Sequence, residues 1–538
     1  MSENSYRDIK YGREAKQAIK AGVDKAANAV KVTMGVTGKS VIIENPFGQP
    51  FVCDDGVTVA KSIKLKDKYE NLGAQLIAEV ANKTNDTAGD GTTTATVLAQ
   101  KMLQEAFGDN DNVVVSDVAT GLREEMEHAV VEVIDELRKM KRDCTPADIE
   151  RVATVSSLDP QVGKLIADVL QQVGNDGIVT IEETQKVGVT TEVVNGMRFD
   201  KGFVSPYMMT NPEKQEAVLG NDLGSARVFV TDKKITANAD IVPILEACVK
   251  AQIKDVLIVA EEIDGEALAT AVVNKIRNGW NIIAVKAPGF ANDKAEHLRN
   301  IAVLTGATVY SEELKQDLKN IKIEDFGKAH KIVVTKDHTT IIDGQGDKAK
   351  IDQAVSTLKL KLADPDLDQF DKARLERHLA NLVGGIGVIK IGALTETETK
   401  TKKYKIEDAL NAAKAAIAEG IVIGGGSALA KVAFKLNKAE VNRGEQIVFG
   451  ALTAPLNQMA DNKGLDSGPI LTEVQNSPTE VGFNFKTNTL EDLFAAGVVD
   501  PFKVTRLALE NAFSICSTVI TTEAAIVEIK EEKEGGGK

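Results

Sequence analysis

The residues with the clearest chemical potential are Asn85-Asp86-Thr87-Ala88-Gly89-Asp90-Gly91-Thr92-Thr93-Thr94. Two glycines let the backbone come close to a ligand, three threonines offer hydroxyls, and a helix opening there leaves free N–H groups that favour an anion. An aspartate between the glycines repels bare phosphate but suits a Mg²⁺ ion carried on phosphate. The same residues also suit a Thr-capped helix after a Gly-Asp-Gly turn, and the motif by itself does not separate the two. Asp54-Asp55-Gly56 ends a short apolar run, as many polar hairpin tips do. Gly424-Gly425-Gly426 follows Ile421-Val422-Ile423 and precedes a helix, a pattern equally suited to close backbone approach and to a simple turn.

Other chemistries fail on spacing. Gly35-Val36-Thr37-Gly38-Lys39-Ser40 has two residues between its glycines, where a Walker phosphate loop needs four. The five histidines (His128, His297, His330, His338 and His378) form no HExxH and no Cys/His set, which argues against a zinc or iron site. No GxSxG elbow occurs. Cys53, Cys144, Cys248 and Cys516 are far apart and read as buried thiols in a reducing compartment.

The elements that must position these residues change character along the chain. Residues 12–35 keep a 3.6-residue apolar period through Ala15, Ala18, Ile19, Gly22, Ala26, Ala29 and Val30, with Gly35 as the expected C-cap. Val41-Ile42-Ile43 and Phe51-Val52-Cys53 read as a β-hairpin. Helical patterns resume over 68–84, from Thr92, and over 117–140. Thr145-Pro146-Ala147-Asp148 then makes a strong helix start. Ile178–Glu183 and the alternating run after it read as strands. Between about 225 and 335, apolar strands (ARVFVTD, KDVLIVAEE, WNIIAVKAPG, ATVY) alternate with helices near 241–252, 265–278 and 293–304, which predicts βαβ units around a buried parallel sheet. Residues 346–383 are charged and helical, and Ala-rich helix returns after 405.

Length and composition bound the answer. At 538 residues, three or four domains are expected, and 43% hydrophobic with 27% charged residues is ordinary globular composition. A net charge of −14 argues against nucleic acid as a partner. No run of about 18 apolar residues occurs, so no membrane span is expected, and the first residues lack the apolar stretch of a signal peptide.

Taken in order, these motifs sit inside a longer likeness. VTMGVTGKSVIIENPFGQPFVCDDGVTVAKSIKLKDKYENLGAQLIAEVANKTNDTAGDGTTTATVLAQ closely resembles the nucleotide-binding region of the group I chaperonins, the bacterial GroEL type. The likeness continues through GMRFDKGFVSPY, DGEALATAVVN, AVKAPGF, TTIIDG, IEDALNAAKAAIAEGIVIGGG and VDPFKVTRLALENA, across all but the last residues. It implies a multi-domain α and α/β chaperonin fold. The equatorial domain is mostly helical (1–139 and 419–530), the intermediate hinge is small (140–194 and 386–418), and the apical domain is α/β (195–385), followed by a disordered tail at 531–538.

By this resemblance the protein is a cytoplasmic, ATP-driven chaperonin using ATP, Mg²⁺ and K⁺. Asp90 holds Mg²⁺ on the phosphates, and Gly91, Thr92, Thr93 and Thr94 cradle them. Thr33, Met34 and Gly35 pack around the nucleotide. Asp54 contributes its backbone carbonyl to a monovalent cation, and Gly425 approaches the ribose. Asp500 bonds the ribose hydroxyls, with Asn484 and Val498 near the base. Asp408, on a hinged domain, orients the attacking water with Asp55 beside it. Spacing alone makes Phe203, Val204, Tyr207, Met208, Val242, Leu245, Leu268, Val272 and Val273 ordinary core. The resemblance instead makes them an exposed apolar rim that captures unfolded polypeptides and docks a ring-shaped co-chaperonin lid. Heptameric rings stacked in pairs are also implied.

The chain departs from the family pattern at Val36 and Thr37, where Pro-Lys is usual, at Asp54, where Lys is usual, and at Phe485-Lys486, which replace small residues. Its tail lacks Gly-Gly-Met repeats. Two other function classes compete with an active chaperonin: a small-molecule enzyme using ATP, for which no second polar cluster is visible, and a chaperonin-like holdase or scaffold without ATPase.

Overall fold

The computed structural model describes residues 5–44, 50–107, 116–174, 178–184, 186–212, 214–220, 226–289, 292–312, 316–362, 371, 374–375, 378–379, 382–383, 385–437 and 440–530. The tail expected to be disordered lies outside them. The chain forms two compact units. The first comprises residues 1–168, 183–189 and 391–538, and the second 169–182 and 190–390.

The first unit is built from helices whose small residues allow close approach. Helix Gly12–Val30 buries Ala15, Ile19, Val23, Ala26, Ala27 and Val30, the face its period predicts. It ends at Val30, before Gly35. A single 3₁₀ turn, Lys31–Thr33, follows, and the left-handed Gly35 (φ 81°) then turns the chain rather than capping the helix. This helix packs on Lys68–Ala88 through a glycine on each side. A Cβ at Gly22 would lie 1.7 Å from the Glu70 carbonyl oxygen, and one at Gly73 would lie 2.0 Å from that of Ile19. Thr92–Phe107, Ser116–Met140 and Phe502–Thr521 complete the bundle.

Both chain ends belong to this unit. Strand Ser5–Tyr11, which the sequence reading missed, pairs antiparallel with Ala524–Lys530, Ser5 opposite Lys530. The buried ammonium of Lys16 meets Glu523 at 3.0 Å, so an ion pair reinforces the ladder. The expected hairpin is present, with Val41 opposite Cys53. The helix predicted after Thr145 runs Pro146–Ser157, and Asp148 accepts from both the amide and the hydroxyl of Thr145. Cys53, Cys248 and Cys516 are buried free thiols, whereas Cys144 is half-exposed, packed at the margin of the small cluster of Val152, Ala412 and Val499.

The second unit holds an eight-stranded sheet. Asn281–Lys286, Asp255–Ala260 and Ala226–Thr231 run parallel, and Val309–Tyr310 joins Ala226–Thr231 in the same sense. These are the strands expected from the apolar runs, and helices Asn238–Lys250, Gly265–Asn278 and Asn292–Thr305 alternate with them. The sheet continues antiparallel through Gly327–Val334, Thr339–Gly344 and Gly196–Phe199, so it is mixed rather than all parallel. Among the described residues, no helix is long and apolar enough to cross a membrane.

The glycine contacts yield a test. Gly73→Val should lower stability by at least about 2 kcal/mol, since the neighbouring backbone cannot yield to a branched side chain. Gly121→Ala, on an exposed helical surface with no atom near the added Cβ, should be neutral or stabilising by up to about 1 kcal/mol. Denaturant melts of the two variants beside the parent decide.

Candidate functional site

Asp90 sits at the turn between Lys68–Ala88 and Thr92–Phe107. Gly89 (φ 72°) and Gly91 (φ 82°) make that turn, both in a conformation that favours glycine. Asp90 Oδ1 accepts from the Gly91 amide at 2.6 Å, and Oδ2 accepts from the Ser156 hydroxyl at 3.2 Å. A Cβ on Gly91 would strike the Val504 side chain at 2.5 Å, so the turn is pressed against Phe502–Thr521. Thr33 approaches the helix start from the other side, its hydroxyl 3.3 Å from that of Thr93. The Asn462 side-chain amide donates to the carbonyls of Lys31 and Met34 at 3.0 and 2.9 Å, which holds the loop carrying Met34 and Gly35.

Asp55 caps its own helix, Gly56–Ser62. Its carboxylate accepts from the amides of Val57 (3.2 Å) and Thr58 (2.9 Å) and from the Thr58 hydroxyl (2.5 Å). Expected beside the attacking water, it therefore reaches the site with much of its acceptor capacity already engaged. Gly56 brings the cap against Thr93, whose Oγ1 would lie 2.5 Å from an added Cβ. Asp54 pairs with Lys405 at 2.8 Å. The charge reversal noted in the sequence is thus met by a cation one turn before Asp408.

Asp408 lies on the long helix Glu396–Glu419. Contacts along its length fix that helix. Arg506 clamps Glu419 with Nη2 at 2.7 Å and Nε at 3.2 Å, and Pro146–Ser157 packs along it. Asn411, on the same face three residues beyond Asp408, fills the space at Gly89, where a Cβ would lie 2.3 Å from its own. The Asp408 face therefore meets the Asp90 turn.

Asp500 comes from a third direction. Strand Val499–Pro501 runs antiparallel to Ile421–Ile423, with Val422 opposite Asp500, and the Gly424 amide donates to the Val498 carbonyl at 2.9 Å. A Cβ on Gly424 would lie 3.0 Å from Asp500 Oδ1, so glycine keeps this carboxylate from being crowded. Asn484 is buried and already engaged: its Nδ2 donates to Glu491 at 2.8 Å and its Oδ1 accepts from the Lys486 amide at 2.9 Å. What faces Gly425 from the hairpin of Val481–Asn484 and Thr489–Asp492 is the Phe483 carbonyl and the Phe485 ring, which packs edge-on against Phe483.

These carboxylates disfavour one another's charge. Burial pushes Asp90 upward, and Asp55 adds to the shift despite the Gly91 and Ser156 hydrogen bonds. Asp408 rises well above the usual carboxylate range, first through burial and then through Asp90 and Asp55. Burial, with Asp90 nearby, lifts Asp500 to about 7. Half-buried carboxylates sharing one space, beside amides and hydroxyls at a helix start, fit a hard divalent cation carried on a polyphosphate. Ser156, Asn411 and Lys405 escaped the sequence reading. Helical spacing from Asp408 points to Asn411 and Lys405, while nothing local marks Ser156.

A family model for the TCP-1/cpn60 chaperonins matches residues 26–530. The chain belongs to that family. Its fold is also similar to the crystal structure of chaperonin gp146 from bacteriophage EL, determined in the presence of ATP-BeFx. The two share 21% sequence identity with a TM-score of 0.64, over 96% of this chain and 99% of that one. The multi-domain α and α/β chaperonin fold is thereby established, and membership carries a chaperone role.

In this chaperonin the apolar residues expected on a client-binding rim divide. Tyr207 (70% exposed), Val273 (45%) and Val242 (39%) present apolar surface. Phe203, Val204, Leu268 and Val272 are partly buried against the core of the second unit. Met208 (0%) and Leu245 (7%) lie inside that core, which corrects their expected exposure. The reason is local: Met208 ends a 3₁₀ turn that sets it against the edge strand Asn281–Lys286, where its sulfur accepts from the Ala284 amide at 3.3 Å, and Leu245 faces inward on Asn238–Lys250. Val249 and Ile276 are exposed on the same two helices and were not foreseen. The spacing of seven from Val242 and of three from Val273 marks them.

The raised carboxylates predict a pH effect in the nucleotide-free, Mg²⁺-free chaperonin. A group whose folded-state pKa lies above its unfolded value stabilises the fold at low pH and loses that contribution as pH rises through the folded pKa. With Asp500 at about 7, thermal stability should decline between about pH 5 and pH 8. Asp500→Asn should flatten that decline. Melting curves across the range test this, and an unchanged slope in the variant would show that Asp500 titrates normally.

Proposed function

We propose that the protein is an active group I chaperonin, which binds Mg²⁺-ATP at the carboxylate-lined site of the first unit and uses its hydrolysis to time the capture and folding of unfolded polypeptides. The observation that carries this reading is the meeting of the Asp90 turn with the Asp408 helix, joined by Asp500 beside the Gly424–Gly426 turn. A small-molecule enzyme would not need a second unit with exposed apolar helices. A holdase without ATPase would have no use for carboxylates held at this energetic cost.

Asp90 would supply a ligand oxygen to Mg²⁺, with K⁺ near the Asp54 carbonyl. The Gly91–Thr94 amides and hydroxyls would hold phosphate oxygens, with Thr33, Met34 and Gly35 closing the other side. Gly425, Asn484, Val498 and Asp500 would border the nucleoside. Bound Mg²⁺ withdraws charge from the phosphates. Asp408 would accept the proton of the attacking water. Asp55 would orient that water only through whatever acceptor capacity its cap leaves free. Tyr207, Val242 and Val273 would bind clients by apolar area, with Val249 and Ile276 extending the surface. Division into equatorial, intermediate and apical domains, stacked heptameric rings, a co-chaperonin lid and a cytoplasmic setting complete the reading.

Asp408→Ala should reduce ATP turnover by at least about 100-fold with nucleotide affinity near the parent value, whereas Asp90→Ala should weaken Mg²⁺-ATP binding as well. Turnover at the parent rate in Asp408→Ala would remove this residue from the mechanism. On the client surface, Tyr207→Glu and Val273→Ser should lose capture of a denatured protein, because a polar group cannot recover its desolvation against an apolar segment. Both side chains are exposed, so ATPase rate and melting temperature should stay near those of the parent. Retained capture would place the client surface elsewhere.

A further inference from the structure

Linear spacing spoke against a histidine metal site, but the fold of the second unit brings two of the five histidines together with an aspartate. Asp293 and His297 stand one turn apart on Asn292–Thr305, so their side chains share a face. His378 arrives from a segment distant in sequence and is almost completely buried. Its Nε2 lies 2.8 Å from Asp293 Oδ1, and His297 Nε2 lies 3.5 Å from Asp293 Oδ2. The two imidazoles meet edge to face with centroids 4.5 Å apart. Glu296 adds a fourth oxygen, 3.7 Å from His378 Nε2, while its other oxygen is held by Lys361 at 3.0 Å.

We propose that Asp293, His297 and His378, with Glu296 as the fourth ligand, form a zinc-type metal site that ties helix Asn292–Thr305 to the segment carrying His378. Two observations support it. The donor atoms of the first three residues lie within 4.8 Å of one another. Tetrahedral ligands on bonds of about 2.0–2.1 Å are about 3.3 Å apart, so modest side-chain rotation brings them onto one ion. Asn300, itself buried, sits with its amide nitrogen 3.1 Å from Nδ1 of His378. With Nε2 on a metal, Nδ1 would carry the proton, and the Asn300 amide would turn to present its oxygen as the outer contact that orients a ligating imidazole. Second, Gly289 (φ 79°) leaves space beside the ligands, where a Cβ would lie 2.8 Å from Asp293 Oδ2 and 3.0 Å from the His297 ring.

Two imidazoles with two carboxylates suit Zn²⁺ or Co²⁺ better than Mg²⁺, which prefers an all-oxygen octahedron. The site's role is structural. It would join the small apolar cluster of Leu358, Leu375 and Leu382 to the helices flanking the sheet. Among the described residues this cluster lies wholly within the second unit, independent of the ATP reading.

The test uses the full-length protein, stripped with chelator and held in excess Mg²⁺ so that carboxylate-only sites are occupied. Zn²⁺ titration by calorimetry should show one site per chain. Co²⁺ should give the visible bands of a four-coordinate ion with nitrogen ligands, and Zn²⁺ should raise the melting temperature by several degrees. His297→Gln and His378→Gln should each weaken Zn²⁺ binding by at least about 100-fold and abolish the Co²⁺ bands. His128→Gln, on an exposed helical surface, should change nothing. Because His378 is buried, the half-buried His297 carries the decision. Equal Zn²⁺ affinity in parent and His297→Gln, or no Zn²⁺ uptake by the parent against excess Mg²⁺, would overturn the proposal and leave the cluster as an Asp–His hydrogen-bonded pin.

Discussion

The first unit depends on forcing Asp90, Asp408 and Asp500 into one poorly solvated space with Asp55 at its border. Such convergence opposes folding, because each charge is disfavoured by burial and then by its neighbours. It persists because the surrounding backbone leaves no alternative. Gly89 and Gly91 turn the chain too tightly for Asp90 to point elsewhere, and Gly424 brings backbone within van der Waals reach of Asp500. In the proposed function, a bound cation would relieve this repulsion.

That constraint explains several contacts which otherwise look ornamental. The Glu396–Glu419 helix must present Asp408 at a fixed height, and it is held at three points. Arg506 grips its C-terminal Glu419, Asn411 fills the gap at Gly89, and Lys405 pairs with Asp54 near the hairpin tip. Pro146–Ser157 packs along the same helix and sends Ser156 to Asp90, so one element both supports the Asp408 helix and steadies the Asp90 carboxylate. The unusual aspartate at position 54 is therefore a matched half of a pair rather than a surplus charge in the site.

The second unit obeys a different rule. Its strands are buried on both faces, so Val228, Phe229, Val230, Leu257, Ile258 and Val259 leave no polar alternation to read. Its helices bury one stripe and leave apolar residues outside it, and this partition is made residue by residue. Met208 and Leu245 fall on the inner side of that line and Tyr207 on the outer, although Tyr207 and Met208 are adjacent in sequence.

Local chemistry was legible wherever a residue's role depends on its near neighbours. The helix period of 12–30, the Thr145–Asp148 box, the βαβ alternation and the Gly-Asp-Gly turn before Thr92 all follow from spacings under about eight residues, which the chain itself imposes. The extended likeness to chaperonins assigned roles to Asp408 and Asp500 that no local pattern carries. The rest required the tertiary structure because it joins residues hundreds of positions apart. The pairing of Ser5–Tyr11 with Ala524–Lys530, Ser156 on Asp90, Arg506 on Glu419 and the approach of His378 to Asp293 are such contacts. Burial was likewise undecidable in advance, because an apolar residue at helical spacing suits a core and a binding rim equally. Only the packing of neighbouring elements determines which of its faces water reaches.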